Sequence, residues 1–145
     1  MNLWRLLPEF KGKYRLAMIS NQFFLQSGWL GAYQVSRMRN GSSFLVDLRS
    51  FTERYTYYSG LYDERDVRLL ASLMKNGEIF VDIGSNIGFY GVQVAHIQRQ
   101  LKKKCLVHSY EPLPSNCVRQ RANYQINKLE ELCFLHEYGL SDRNS

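Results

Sequence analysis

Apolar residues recur over the first 27 positions at Leu3, Leu6 and Leu7, then at Leu16, Ile19, Phe23 and Phe24. That spacing predicts helix, and Gly12 divides it in two. From Trp29 the pattern changes. A run to Arg39 carrying Tyr33, Val35 and Met38 is followed by Asn40-Gly41, then by Phe44-Leu45-Val46-Asp47-Leu48. Asn-Gly between two such runs predicts a β-hairpin, because both central residues of the tight turn need positive φ. Arg54–Tyr58 reads as a further strand, and Tyr55, Tyr57, Tyr58 and Tyr62 as its half-buried surface. Asp63 then stands as N-cap to a helix with Val67, Leu70, Ala71 and Met74 on one face, ended by Asn76-Gly77.

Beyond Gly77 the elements alternate. Ile79–Ile83 is a short apolar run of the kind buried on both faces of a parallel sheet. Ile87–Leu101 reads as helix and Cys105–Tyr110 as strand. Pro114 opens a helix running to about Asn127, and Leu132–Tyr138 is a third strand. Strand, helix, strand, helix, strand predicts an α/β fold with parallel strands and right-handed crossovers. The chain therefore reads as two parts: residues 1–60, a helical segment with a hairpin, and residues 61–145, the first three strands of a doubly wound sheet. Such sheets usually have five or more strands. The expectation is a first half of a domain, or a sheet that a partner chain completes.

Composition narrows the class. The 145 residues are 45% hydrophobic and 14% aromatic, which excludes a disordered or collagen-like chain. The uncharged stretch between Arg15 and Arg37 contains Ser20, Asn21, Gln22, Gln26, Ser27 and Gln34 as well as Gly28 and Gly31, and so does not read as a membrane span. Cys105, Cys117 and Cys133 are odd in number and widely spaced, without metal-ligand spacing. They exclude a disulfide framework, suggest no zinc site, and point to a reducing, cytoplasmic setting. The net charge is +6, and residues 1–75 hold most of it, with 11 basic and 6 acidic side chains. No dense Lys/Arg block with interleaved aromatics accompanies it, so a solvated surface is favoured over a nucleic-acid patch.

The chemistry concentrates in Phe80-Val81-Asp82-Ile83-Gly84-Ser85-Asn86-Ile87-Gly88-Phe89-Tyr90. A buried strand ends in an acid, and a loop with Gly84 and Gly88 opens a helix, which lets backbone approach a ligand closely. Glu111 ends the next strand, where a carboxylate can accept hydrogen bonds from ribose hydroxyls. Together they describe a pocket for an adenosine-containing ligand. A dinucleotide fingerprint laid on Asn86-Ile87-Gly88-Phe89-Tyr90-Gly91 has Asn where the first glycine belongs. Asp82 beside the loop would repel a pyrophosphate but suits the positive charges of S-adenosylmethionine. Simpler roles stand beside these: Gly84 and Gly88 as packing glycines, Glu111 as a cap for the next helix, and His96, His108 and His136 as structural residues.

The Asp82–Tyr90 stretch resembles the first motif of the FkbM-type methyltransferases, roughly D-[IV]-G-[AS]-N-x-G-x-Y. Tyr110-Glu111-Pro112-Leu113-Pro114-Ser115-Asn116 is similar to their E-P-x-P-x-N motif. Asn127 with Leu129, and Gly139-Leu140-Ser141-Asp142, are similar to later family elements, with Gly139 in place of the usual Ala. Gly60-Leu61-Tyr62-Asp63 also fits, so the resemblance spans about residues 29–142. It implies a Rossmann-like class I methyltransferase fold, S-adenosylmethionine as donor, and an acceptor hydroxyl on a sugar, glycan or other small metabolite. Carried over by position, Asp82, Gly84, Asn86 and Gly88 line the methionine end, Glu111 holds the ribose, and Asp142 lies near the adenine. No general base is identified. The alternative is a non-catalytic S-adenosylmethionine-binding or assembly subunit completed by a partner chain. An RNA acceptor is suggested by net charge alone.

Overall fold

The structure, a computed structural model, describes residues 3–8 and 10–142. It divides into two compact units, Met1–Arg39 with Ser43–Tyr62, and Asn40–Ser42 with Asp63–Ser145. In the first unit a 3-10 turn, Leu3–Leu6, precedes helix α1 (Lys13–Gln26). Gly12, with φ of 92°, is the N-cap that separates them. Strands β1 (Tyr33–Arg37) and β2 (Ser43–Asp47) pair antiparallel from Tyr33↔Asp47 to Arg37↔Ser43. The hairpin is therefore present, but residues 38–42 connect its strands. Only Gly41 of the Asn40-Gly41 pair has positive φ, 95°. Asn40 turns the chain with its side chain instead: its Oδ1 accepts from the Ser42 N–H at 3.0 Å and from Ser42 Oγ at 2.7 Å.

Arg54–Tyr58 is not a strand. It lies in helix α2 (Phe51–Ser59). Ser50 takes the extended N-cap conformation, and Glu53, three residues on, accepts the Asp47 N–H at 2.6 Å. Ser50 makes no side-chain cap bond, and Glu53 instead ties the first turn of α2 back to the end of β2, so helix forms despite the strand preference of the aromatic residues. Tyr58 and Thr56 are buried and Tyr55 is exposed, a helical alternation of faces. Gly60 closes the helix with φ of 70°. Arg5 covers the same end: its Nε donates to the Tyr57 carbonyl at 2.9 Å and its Nη2 to the Thr56 carbonyl at 3.1 Å. A cation there complements the negative end of the helix dipole. Ala17, Phe44, Val46 and Leu48 form the apolar centre, and Tyr58 donates its hydroxyl to Asn21 Oδ1 at 3.0 Å.

The second unit contains α3 (Glu64–Leu73), β3 (Ile79–Ile83), α4 (Phe89–Gln100), β4 (Leu106–Tyr110), α5 (Pro114–Asn127) and β5 (Cys133–His136). The strands are parallel in the order β3-β4-β5. Consecutive strands thus neighbour each other, and α4 and α5 pack against them and against each other. Val92, Val94 and Ala95 of α4, Val107 of β4, Cys117 of α5 and Cys133 of β5 are buried there. On the other face Ile79, Val81 and Ile83 are 57%, 51% and 66% exposed. The expectation that β3 is buried on both faces therefore fails within the described residues.

Candidate functional site

Parallel register puts Asp82 opposite Ser109 and Ile83 opposite Tyr110. The loop that leaves β3 is fastened to the end of β4: the Gly84 and Ser85 N–H groups donate to the Tyr110 carbonyl at 2.9 and 3.1 Å. Gly84, Asn86 and Gly88 all have positive φ, of 73°, 54° and 84°. Asn86 is the one non-glycine among them, and Asn tolerates that region better than most residues. A side chain on Gly84 would meet nothing within 4 Å, so the loop has open space beside it. α5 holds the loop from its other side. Ser85 Oγ donates to Gln120 Oε1 at 2.9 Å, and Asn123 Nδ2 donates to the Ile87 carbonyl at 2.8 Å.

Asp82 lies on the helix-covered face of the sheet and is 9% exposed. Its Oδ2 accepts the Gly91 N–H in the first turn of α4 at 3.0 Å. Burial holds its carboxyl above the ordinary carboxylate range; the Gly91 bond opposes the shift and the negative Glu111 adds to it. Glu111, 6% exposed, is the hub. Oε2 accepts the Asn86 N–H at 2.8 Å. Oε1 accepts the Leu113 N–H at 3.0 Å and Asn116 Nδ2 at 3.2 Å. Glu111 therefore braces the glycine loop and caps α5 together. A carboxylate offers about four lone-pair positions, so these three bonds leave one, on Oε2.

Asp82, Gly84, Asn86, Gly88 and Glu111 are thus gathered at one loop, as the sequence pattern expects. Asp142 stands on exposed coil beyond β5, accepting from the neighbouring Ser141 Oγ at 3.3 Å. Two features escaped the sequence reading. Gly91 admits α4 to the sheet: a Cβ there would come within 2.8 Å of Val107 Cγ1 and 3.1 Å of Asp82 Oδ2. The Gly88-x-x-Gly91 spacing carried that signal, since the last glycine of a dinucleotide fingerprint serves close helix–strand packing. Asp63 is the other. It caps α3 in a left-handed conformation, φ 41°, without a side-chain cap bond, and accepts the Tyr90 hydroxyl at 2.8 Å instead.

His108 and His136, isolated in sequence, meet across β4 and β5, with Nδ1 and Nε2 3.0 Å apart and their rings stacked. They share the uncovered face with Tyr110, which stacks on His136. The three cysteines are free and buried. Burial pushes the Cys133 thiol up to about 12, so it stays protonated at neutral pH. No group of three or more His, Cys, Asp or Glu suited to a metal occurs among the described residues, and no helix there is long and apolar enough to cross a membrane.

No family model and no curated protein matches the chain. Solved structures do. The Pyrococcus horikoshii protein PH0793, described as a transferase, superposes with a TM-score of 0.59 at 13% identity, over 86% of this chain and 48% of its own. P. horikoshii TYW2, solved with MeSAdo, gives 0.58 at 17%, over 87% and 47%. The Pyrococcus abyssi tRNA (uracil-54, C5)-methyltransferase, solved with S-adenosyl-L-homocysteine, gives 0.53 at 20%, over 81% and 26%. The fold is that of the Rossmann-like methyltransferases. The chain spans about half the length of the first two proteins and about a quarter of the third.

Proposed function

We propose that the second unit is the S-adenosylmethionine-binding part of a methyltransferase. The observation that carries this reading is the carboxylate pair, Asp82 and Glu111, set around a glycine loop that has open space at Gly84. Such a site favours a cation over a pyrophosphate. Asp82 is held in an environment that penalises its charge, so a nearby sulfonium or ammonium would relieve it. Gly84, Asn86 and Gly88 would line the methionine end. Glu111 would take one ribose hydroxyl on its remaining lone pair, and Asp142 would lie toward the adenine. When bound, the donor supplies a methyl group already activated on sulfur. The chain's own contribution is then placement, by a loop pinned to Tyr110, Gln120 and Asn123.

The motif resemblance supports an FkbM-type enzyme acting on a hydroxyl of a sugar or small metabolite. A second reading, an RNA acceptor, is favoured by the likeness to a tRNA methyltransferase. Further protein would complete the domain, because the face bearing Ile79, Val81 and Ile83 is uncovered and burying the exposed half of each is worth about 1 kcal/mol. Calorimetric titration of the complete protein with S-adenosylmethionine tests the donor site, beside Asp82→Asn and Glu111→Gln. Absence of binding by the parent, or equal binding by all three, overturns the assignment. Transfer of labelled methyl to glycans or to RNA separates the two acceptors, and binding without transfer to either favours an assembly subunit.

A further inference from the structure

Helix α1 turns large apolar side chains to solvent. Leu16, Ile19 and Phe23 share one face by helical spacing and are 50%, 62% and 68% exposed. Its buried residues are Lys13, Ala17 and Asn21. A helix that served only to pack on the first unit would carry the reverse pattern. Trp29, just past the helix, is 84% exposed. Arg15, Gln22 and Gln26 flank the apolar stripe and Lys11 precedes it, all of them exposed.

The charge around this stripe has one sign. From Phe10 to Val46 the chain holds five cationic residues and no acidic one. The unit as a whole has eight basic and three acidic side chains. Two of those acids are engaged within it: Glu53 is buried and accepts the Asp47 N–H, and Asp47 pairs with Arg49 at 2.7 Å. The attraction of a charged surface follows net charge, so it acts whether or not a given cation also has a partner inside the unit.

An apolar stripe bordered by cations, with Trp at one end, matches an anionic lipid surface. A second copy of the chain would bring equal positive charge against it. Single-stranded RNA stacks on aromatic rings and would leave Leu16 and Ile19 without a partner. With 14 residues, α1 is too short to cross a bilayer and long enough to lie along its surface. We propose that the outward face of α1 docks the protein on an anionic phospholipid bilayer, with Leu16, Ile19, Phe23 and Trp29 entering the headgroup region and Lys11 and Arg15 at the lipid phosphates. This surface is independent of the donor-site assignment and survives its failure.

The test mixes the complete protein with phosphatidylglycerol vesicles, phosphatidylcholine vesicles and a short single-stranded RNA, and reads cosedimentation and tryptophan emission. The expected result is binding to phosphatidylglycerol with a blue shift that disappears in Trp29→Phe, which separates Trp29 from Trp4. Ile19→Gln/Phe23→Gln should weaken binding about tenfold or more, because two side chains give up their apolar burial. Both residues are exposed, so the variant keeps the fold and its circular dichroism matches the parent. Lys11→Gln/Arg15→Gln should also weaken binding about tenfold or more and reduce its dependence on salt. Equal binding to the two lipids overturns the role given to the cations. No binding to phosphatidylglycerol, or equal binding by the parent and Ile19→Gln/Phe23→Gln, overturns the surface altogether. So does RNA binding or self-association that the same variant abolishes while vesicles are not bound; the occupant is then a polynucleotide or a second copy.

Discussion

Glu111 Oε2 lies 2.8 Å from the backbone nitrogen of Asn86, so the acid that ends β4 sets the shape of the loop that leaves β3. Because Oε1 also accepts the Leu113 N–H, Glu111→Ala strands two backbone donors. The two donors are part-buried, so the expected loss of stability is about 0.5–1.5 kcal/mol for each bond removed. Glu111→Gln keeps one carbonyl acceptor and falls between parent and Ala. Denaturant unfolding of the three proteins checks the order.

Asp82→Asn is expected to stabilise the unliganded protein at neutral pH while weakening the donor. The Asn side chain can still accept the Gly91 N–H, and the buried charge is gone. The folded-state pKa of Asp82 is raised above its ordinary 3.8. The folded protein therefore holds this proton more tightly than the unfolded chain does. Stability is lost as pH rises from about 3.8 through the folded value, and the penalty is complete above it. The advantage of Asn should shrink toward zero as pH falls to 3.8, which thermal unfolding across pH reads directly. A constant difference at all pH values removes this explanation.

Gly91→Ala should cost about 1–3 kcal/mol through overpacking against Val107. Gly84→Ala meets no atom, but its φ of 73° costs about 1–2 kcal/mol on conformational grounds. A second substitution separates the causes: Val107→Ala makes room for Gly91→Ala and recovers part of its loss, and leaves Gly84→Ala unchanged.

The Tyr90 hydroxyl bond to Asp63 ties the start of α3 to the first turn of α4. A double-mutant cycle with Tyr90→Phe and Asp63→Ala should return about 0.5–1.5 kcal/mol of coupling. Asp63→Gly separately relieves the left-handed backbone and should be the milder of the two Asp63 variants.

Arg5→Met should destabilise the first unit by about 2–4 kcal/mol, because the Thr56 and Tyr57 carbonyls at the end of α2 lose their cationic donor. Arg5→Lys restores charge without the planar fork and should recover less than half.

The parallel half of the fold was legible because β3, β4 and β5 are short apolar runs separated by helices with clear punctuation, Pro114 among it. The geometry of the glycine loop was legible for a similar reason: Asp82, Gly84, Gly88 and Glu111 act through local backbone geometry. The α2 region was not. Its tyrosines favour strand by residue type, whereas the bonds at its two ends come from Glu53 to the Asp47 N–H and from Arg5, about fifty residues away in sequence. Gly91 and the His108–His136 pair depend on register between elements, which no local pattern expresses. Burial of β3 was overestimated because an apolar strand does not specify which molecule covers its second face.

The order β3-β4-β5 follows the order of synthesis. Each pairing closes a loop of about 27 residues, from Ile79 to Leu106 and from Val107 to Cys133. Closure over such spans costs less chain entropy than pairing strands farther apart in sequence would. The second unit therefore pairs its strands in the order in which they emerge, and its apolar β3 face is left to whatever packs on it afterwards. Pulse-labelled hydrogen exchange during refolding should find the Val107 amide, which donates to Leu132, among the earliest protected.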